Sequence, residues 1–229
     1  MLAVCGVAGQ LEWGNAGREI GVYEYGAMDT ELWAVDNLGS IGGHEPEVVG
    51  SPRVIDTDGG KAVEFDGRGD ALVLDVNPLA GLREFTVEVE FRPDANGPAE
   101  QRFFHIQETG SENRVLLETR LVDDGMWYGD TYIKSGKRSA ALNDPAALHR
   151  VGAWHTLALV CTGSHMTQYV NGAEEIDWRI AFKPQGAGRT SIGMRINEVH
   201  WFKGAVRAVR MSPRALDVGC WTLRRPTRN

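Results

Sequence analysis

The stretch EFTVEVEFRPD, residues 84–94, decides the fold class. Successive side chains of a strand point to opposite faces. Phe85, Val87, Val89 and Phe91 therefore share one side, and Thr86, Glu88, Glu90 and Arg92 share the other. Four large apolar residues backed by four polar ones describe a half-buried antiparallel strand. Short strands of this kind recur outward from it. Upstream, KAVEFDGRGDALVL (61–74) reads as two strands joined as a hairpin at the turn Asp66-Gly67-Arg68-Gly69, and NPLAGL (77–82) reads as a helical turn. Downstream, RFFHIQE (102–108) sets Phe104 and Ile106 against Phe103, His105 and Gln107. WHTLALVCTG and MTQYVNG (154–172) form a hairpin turning at Thr162 to His165, with a further turn at Asn171-Gly172. RTSIGMRI (189–196) and HWFKGAVRAVRMS (200–212) add the last strands, and SGKRSAALNDPAALHRVG (135–152) reads as a long polar connection. GREIGVYEYG (17–26) and ELWAVDN (31–37) look like short strands, followed by glycine- and proline-punctuated loops to residue 60. No run of a dozen residues keeps a helical period, and roughly a dozen short strands at turn-marked spacing imply an all-β fold of two packed antiparallel sheets.

Composition bounds the rest. A chain of 229 residues with 42% hydrophobic side chains suits one domain with one core. Its 24 Lys+Arg against 31 Asp+Glu, a formal charge of -7, argue against nucleic acid or an anionic membrane as partner. No stretch reaches the roughly 18–20 apolar residues of a spanning helix. The opening MLAVCGVAG resembles the tail of a secretory signal's apolar region but is short and has no basic residues before it, so it reads either as a signal remnant or as a first strand; a secreted, cell-surface or periplasmic location is expected. Cys161 reads as a small core residue, and Cys5 could pair with Cys220 only if the termini meet. Nothing in the sequence sets the oligomeric state.

The stretch Arg114 to Lys134 is the candidate site. NRVLLETRL and WYGDTYIKS alternate so that Arg114, Glu118 and Arg120 share a face, and Tyr128, Asp130, Tyr132 and Lys134 line up beside them. His105 and Gln107 join from the preceding strand. Arginines, tyrosines, acids and a lysine at matched positions form a face suited to holding something polar, with aromatic rings for the apolar side of a sugar and fixed charges for its hydroxyls. The alternative is a solvated face of cross-strand ion pairs. Trp127 points the opposite way, toward the core, and Trp154 and Trp201 are expected there too. Glu88 and Glu90 are the nearest pair of carboxylates to what a glycoside hydrolase needs, set against a solvent-facing role. Calcium is a candidate cofactor through Asp66 and Asp70, beside Asp56 and Asp58, with turn stabilisation as the simpler role.

Phe65-Asp66-Gly67, FTVEVEFRP (85–93), WHTLALV (154–160), YVNG (169–172), SIG (191–193) and FKGAVR (202–207), in that order, resemble the laminin G-like, concanavalin A-like lectin/glucanase superfamily. The resemblance implies a single jelly-roll sandwich over residues 1–229. Residues 61–218 would be its centre, 1–60 edge strands and loops, and 219–229 a tail. It also implies a ligand on the concave sheet. Members include lectins, carbohydrate-binding modules, glycoside hydrolases, polysaccharide lyases and adhesion modules, so fold alone does not choose among them. A lectin-like module for a polysaccharide or glycoprotein is the leading expectation, ahead of catalysis and of protein adhesion. Tyr132-Ile133-Lys134-Ser135-Gly136 is similar to the Y-x-K-x-G motif of jelly-roll alginate lyases, and His105-Ile106-Gln107 to their Q-x-H reversed. That likeness implies His105, Arg120, Tyr132 and Lys134 as lyase groups, although the arginine strand here follows the histidine strand instead of preceding it.

Overall fold

A computed structural model describes residues 30–122 and 125–218. The strands at residues 17–26, the apolar opening, the tail 219–229 and the Cys5–Cys220 question lie outside them. Among the described residues sixteen strands follow in chain order: β1 (Glu31–Ala34), β2 (Glu47–Val49), β3 (Arg53–Thr57), β4 (Gly60–Asp66), β5 (Ala71–Leu74), β6 (Phe85–Pro93), β7 (Glu100–Glu108) and β8 (Arg114–Val122). Then come β9 (Met126–Ser135), β10 (Arg138–Asn143), β11 (His149–Arg150), β12 (His155–Cys161), β13 (His165–Val170), β14 (Ala173–Arg179), β15 (Gly188–Ile192) and β16 (Lys203–Ser212). They form two antiparallel sheets. The first runs β14-β13-β12-β6-β16-β4-β3 with β1 beside β16, and the second runs β10-β9-β8-β7-β15-β5-β2 with β11 beside β9. Among the described residues no helix is long and apolar enough to cross a membrane.

The alternation at 84–94 becomes the middle of the first sheet. Phe85, Val87, Val89 and Phe91 are fully buried in the inter-sheet core. There Phe91 stacks on Phe103 of β7 with centroids 4.0 Å apart and planes 9° from parallel. The Trp127 ring meets Phe91 edge-on at 5.3 Å, and Phe202 closes the cluster from the start of β16. Trp127 and Cys161 take the expected core places.

Several local expectations are overturned. The Asp66–Gly69 turn does not close a hairpin, because β4 pairs with β3 and β16 in the first sheet whereas β5 pairs with β2 and β15 in the second. The turn carries the chain from one sheet to the other. NPLAGL forms turns instead of a helix, with Asn77 Oδ1 accepting the Leu79 amide at 2.9 Å. The polar connection after β9 contains β10, which pairs back along β9 from Ser135 to Asp130. Glu88 and Glu90 are not solvent-facing. Both are buried on the outer side of the first sheet, Glu88 3.1 Å from Arg210 and Glu90 2.6 Å from Arg207. Trp154 is only half-buried and sits under the Arg207 guanidinium at 3.8 Å, and Trp201 is likewise half-buried, so neither belongs to the inter-sheet core.

The stack of Phe91 on Phe103 joins the two central strands across the sandwich. Replacing Phe91 by alanine should lower the unfolding free energy by about 3–5 kcal/mol, seen as an earlier denaturant midpoint. A loss under about 1 kcal/mol would mean that the cavity collapses and that the stack matters little.

Candidate functional site

The site lies on the outer face of the second sheet, across β7, β8 and β9. Antiparallel register fixes who meets whom. Arg120 faces Tyr128, Glu118 faces Asp130, Leu116 faces Tyr132 and Arg114 faces Lys134. On the other flank of β8, Glu100 lies beside Arg120, Arg102 beside Glu118, His105 beside Leu116 and Gln107 beside Arg114. Every residue expected at the site thus lies on one face, and β10 extends it with Asn143 opposite Asp130.

Charges pair off over part of this face. Arg120 bonds Asp130 Oδ2 through Nε at 2.6 Å, contacts Glu100, and comes within 3.7 Å of Glu118. Asp130 also accepts from Asn143 at 3.2 Å. Arg102 reaches Glu100 at 3.0 Å and Glu118 at 2.9 Å. Because Asp130 and Glu118 are almost fully buried, Arg120 is a structural partner as well as a surface group. Its substitution would disturb folding as well as binding.

One part of the face stays open. Arg102, Arg114, Leu116, Glu118, Arg120, Tyr132 and Arg195 line a pocket of about 240 Å³. Arg114 is tethered to Glu112 at 2.9 Å and lies over the Tyr132 ring at 4.9 Å. Arg195 comes from the loop between β15 and β16. Gly193 starts that loop at φ 96°, where an added Cβ would lie 2.6 Å from the Phe65 ring, so the position needs glycine. Phe202 N donating to Gly193 O at 2.8 Å and Arg195 N to Val199 O at 3.1 Å close the loop on itself.

His105 anchors that loop to the sheet. It is fully buried, and its Nδ1 accepts the Ile196 amide at 3.0 Å. Burial, with Arg195, Arg114 and Arg102 adding to it, holds its pKa well below the ordinary value, so the ring is neutral with its proton on Nε2. A lyase base must touch its substrate. His105 is sealed from solvent, which removes it from that role. Gln107 is engaged with Ser111 O at 3.0 Å, while Tyr128 and Lys134 are half-buried at the edges of the face.

The turn carboxylates are occupied as well. Asp66 Oδ1 accepts the amides of Arg68 at 2.7 Å and Gly69 at 2.9 Å. Asp70 accepts those of Ser51 at 2.7 Å and Asp66 at 3.2 Å. These bonds are the turn-stabilising role. Among the described residues, no group of three or more His, Cys, Asp or Glu side chains is arranged to hold a metal ion.

Glu100, Arg102, Leu116 and Arg195 were missed from the sequence. Strict alternation places Arg102 on the core face with Phe104. A β-bulge between Arg102 and Phe104 reverses that, sending Arg102 outward while both phenylalanines stay in the core. Leu116 was legible by alternation, whereas a loop arginine leaves no periodic signal.

Glu118 carries the clearest electrostatic signature. Burial pushes its carboxyl up to about 7, against the pull of Arg102 and Arg120. Such a group is protonated in both states below pH 4.5, and between there and about 7 only the folded state keeps the proton. Stability therefore falls as pH rises through that window, by about 3 kcal/mol in all. The difference in unfolding free energy between the wild type and Glu118→Gln should shift by that amount between pH 4.5 and about 7.5, in favour of the variant. Denaturant titrations across the range read it, and a pH-independent difference would show that Glu118 titrates normally.

The fold has close parallels in shape. A family model for the concanavalin A-like lectin/glucanases superfamily matches residues 66–219. Domain 4 of AbnA, an extracellular arabinanase from Geobacillus stearothermophilus solved with arabinotriose, superposes with a TM-score of 0.55 at 16% identity, covering 82% of this chain and 93% of that one. A point mutant of the NanB sialidase of Streptococcus pneumoniae (TM-score 0.56, 19% identity) is matched over 72% of this chain and 28% of its own. The binding domain of botulinum neurotoxin serotype D gives 0.57 at 13% identity, over 82% and 49%. Among curated proteins none matches the sequence. At these identities the structures establish the architecture alone, and together with the family match over most of its length they make this chain a member of the concanavalin A-like lectin/glucanase superfamily.

Proposed function

We propose that this domain is a carbohydrate-binding module, acting outside the cell or at its surface, whose ligand lies across the outer face of the second sheet above β7, β8 and β9. One observation carries the reading: the Arg195 guanidinium, which has no ion pair with a described carboxylate, meets the Tyr132 ring, Leu116 and three arginines held by acids around one open pocket. Sugars present alternating apolar and hydroxyl surfaces, and a ring flanked by oriented charges suits both. A volume of about 240 Å³ is below the ~300–1,000 Å³ of pockets for drug-sized ligands, which matches one residue of a longer glycan. The arabinanase domain solved with arabinotriose lends support as a module of this shape in complex with an oligosaccharide.

Catalysis is the second reading, and Glu118 is the observation that favours it. A buried carboxyl with a pKa of about 7, facing Asp130 across the strand pair, is the kind of couple a glycoside hydrolase uses as acid and base. Arg120 and Asn143 hold Asp130, however, and a binding role needs no such freedom.

A glycan array followed by titration with the best hit tests the proposal. Tyr132→Ala should weaken binding of that hit by about tenfold or more with an unchanged circular-dichroism spectrum, because the ring is half-buried on the outer face. Retained affinity would move the site elsewhere, and an array without hits would favour a protein-adhesion role. Release of reducing ends from the bound glycan, abolished by Glu118→Gln, would establish the hydrolase instead.

A further inference from the structure

We infer that the sugar residue held in this pocket is anionic, its carboxylate or sulfate group seated between Arg102, Arg114 and Arg195; the inference rests on the glycan-binding reading above. Hydrogen-bond accounting around the pocket points to a missing acceptor. Buried polar groups are nearly always paired. Here Arg102 Nε and Arg114 Nε are buried donors without a partner. Both belong to side chains that line the pocket, and arginine offers donors only. What such a set lacks is an oxygen-rich group.

Charge points the same way. Four arginines line the pocket and Glu118 is the one acid among them. Arg195 has no ion pair with any described carboxylate, and it is close enough to Arg114 and Arg102 that their positive charges, after burial, lower its pKa. Like charges brought together on a built loop are a standing electrostatic cost. A bound anion removes that cost, and guanidinium forks match the geometry of carboxylate and sulfate oxygens. Glu118 Oε1 is also buried without a partner. When it carries its proton it becomes a donor too, so it need not repel the anion.

The loop that delivers Arg195 is held for the purpose. Its closing bonds and the Ile196–His105 contact fix the backbone on both sides of Arg195, which brings the guanidinium over the sheet without its own ion pair. The surrounding acids are otherwise engaged: Glu112 with Arg114, Glu100 with Arg102 and Arg120, and Asp130 with Arg120 and Asn143.

Matched pairs of probes test this by titration calorimetry: polygalacturonate against its fully methyl-esterified form, sialyllactose against lactose, and dextran sulfate against dextran. The acidic member of at least one pair should bind about 10- to 100-fold more tightly than its neutral partner, and which pair responds separates carboxylate from sulfate. Arg195→Ala should remove most of that preference without lowering thermal stability, since no ion pair is broken and a like-charge contact is relieved, and Arg195→Lys should restore part of it. Equal binding of neutral and acidic members would overturn the anionic ligand and leave the glycan reading standing. Tight acidic binding untouched by Arg195→Ala would overturn the seat assigned to Arg195. Binding of none of the six probes would count against both.

Discussion

Phe91 and Phe103 lie face to face across the gap between the sheets, and both the core and the candidate site depend on how that contact is reached. Phe103 and Phe104 are neighbours in β7, yet both are buried. Regular pleating forbids this. The β-bulge at the start of β7 allows it, and the same extra residue rotates Arg102 to the outer face beside Glu118. The apolar interior thus sets the chemistry of the surface. Without the second phenylalanine in the core there would be no arginine at that place on the sheet.

The two sheets handle charge in different ways. On the first, Glu88 and Glu90 are buried against Arg210 and Arg207 on its outer side. On the second, Arg102, Arg114 and Arg120 are held by nearby acids, whereas Arg195 reaches the pocket without an ion pair to a described carboxylate. The first arrangement is structural cement of the sort whose net worth is small as long as both partners stay. The second leaves buried arginine donors without partners beside an open pocket, and that difference sets the proposed binding face apart from the supporting one.

Much of this was legible from residues alone. The 84–94 alternation fixed β6, and the turn at Asn171-Gly172, with φ of 52° and 81°, does end β13 as the sequence indicates. The polar residues of the Arg114–Lys134 stretch fall on one face as their alternation indicates, because a slip of one residue would turn the apolar set outward. Other features were hidden for identifiable reasons. Asp66-Gly67-Arg68-Gly69 specifies a bend but not which sheet receives the next strand. Burial of Glu88 depends on Arg210, which is more than a hundred residues away in the chain. Arg195 owes its place to backbone bonds within a loop and to an imidazole on β7, none of which has a signature in local periodicity.

The cross-linked frame around Arg120 has one more consequence. Its guanidinium is tied to Asp130, Glu100 and Glu118 in the free protein, so these side chains have lost their rotameric freedom during folding. Immobilising such side chains on binding ordinarily costs about 0.5–1.5 kcal/mol each. A frame already rigid avoids that entropy loss, and it also cannot adapt. Under the proposed binding role, a ligand of the wrong shape would meet a template that does not yield, and selectivity would come from rejection as much as from attraction.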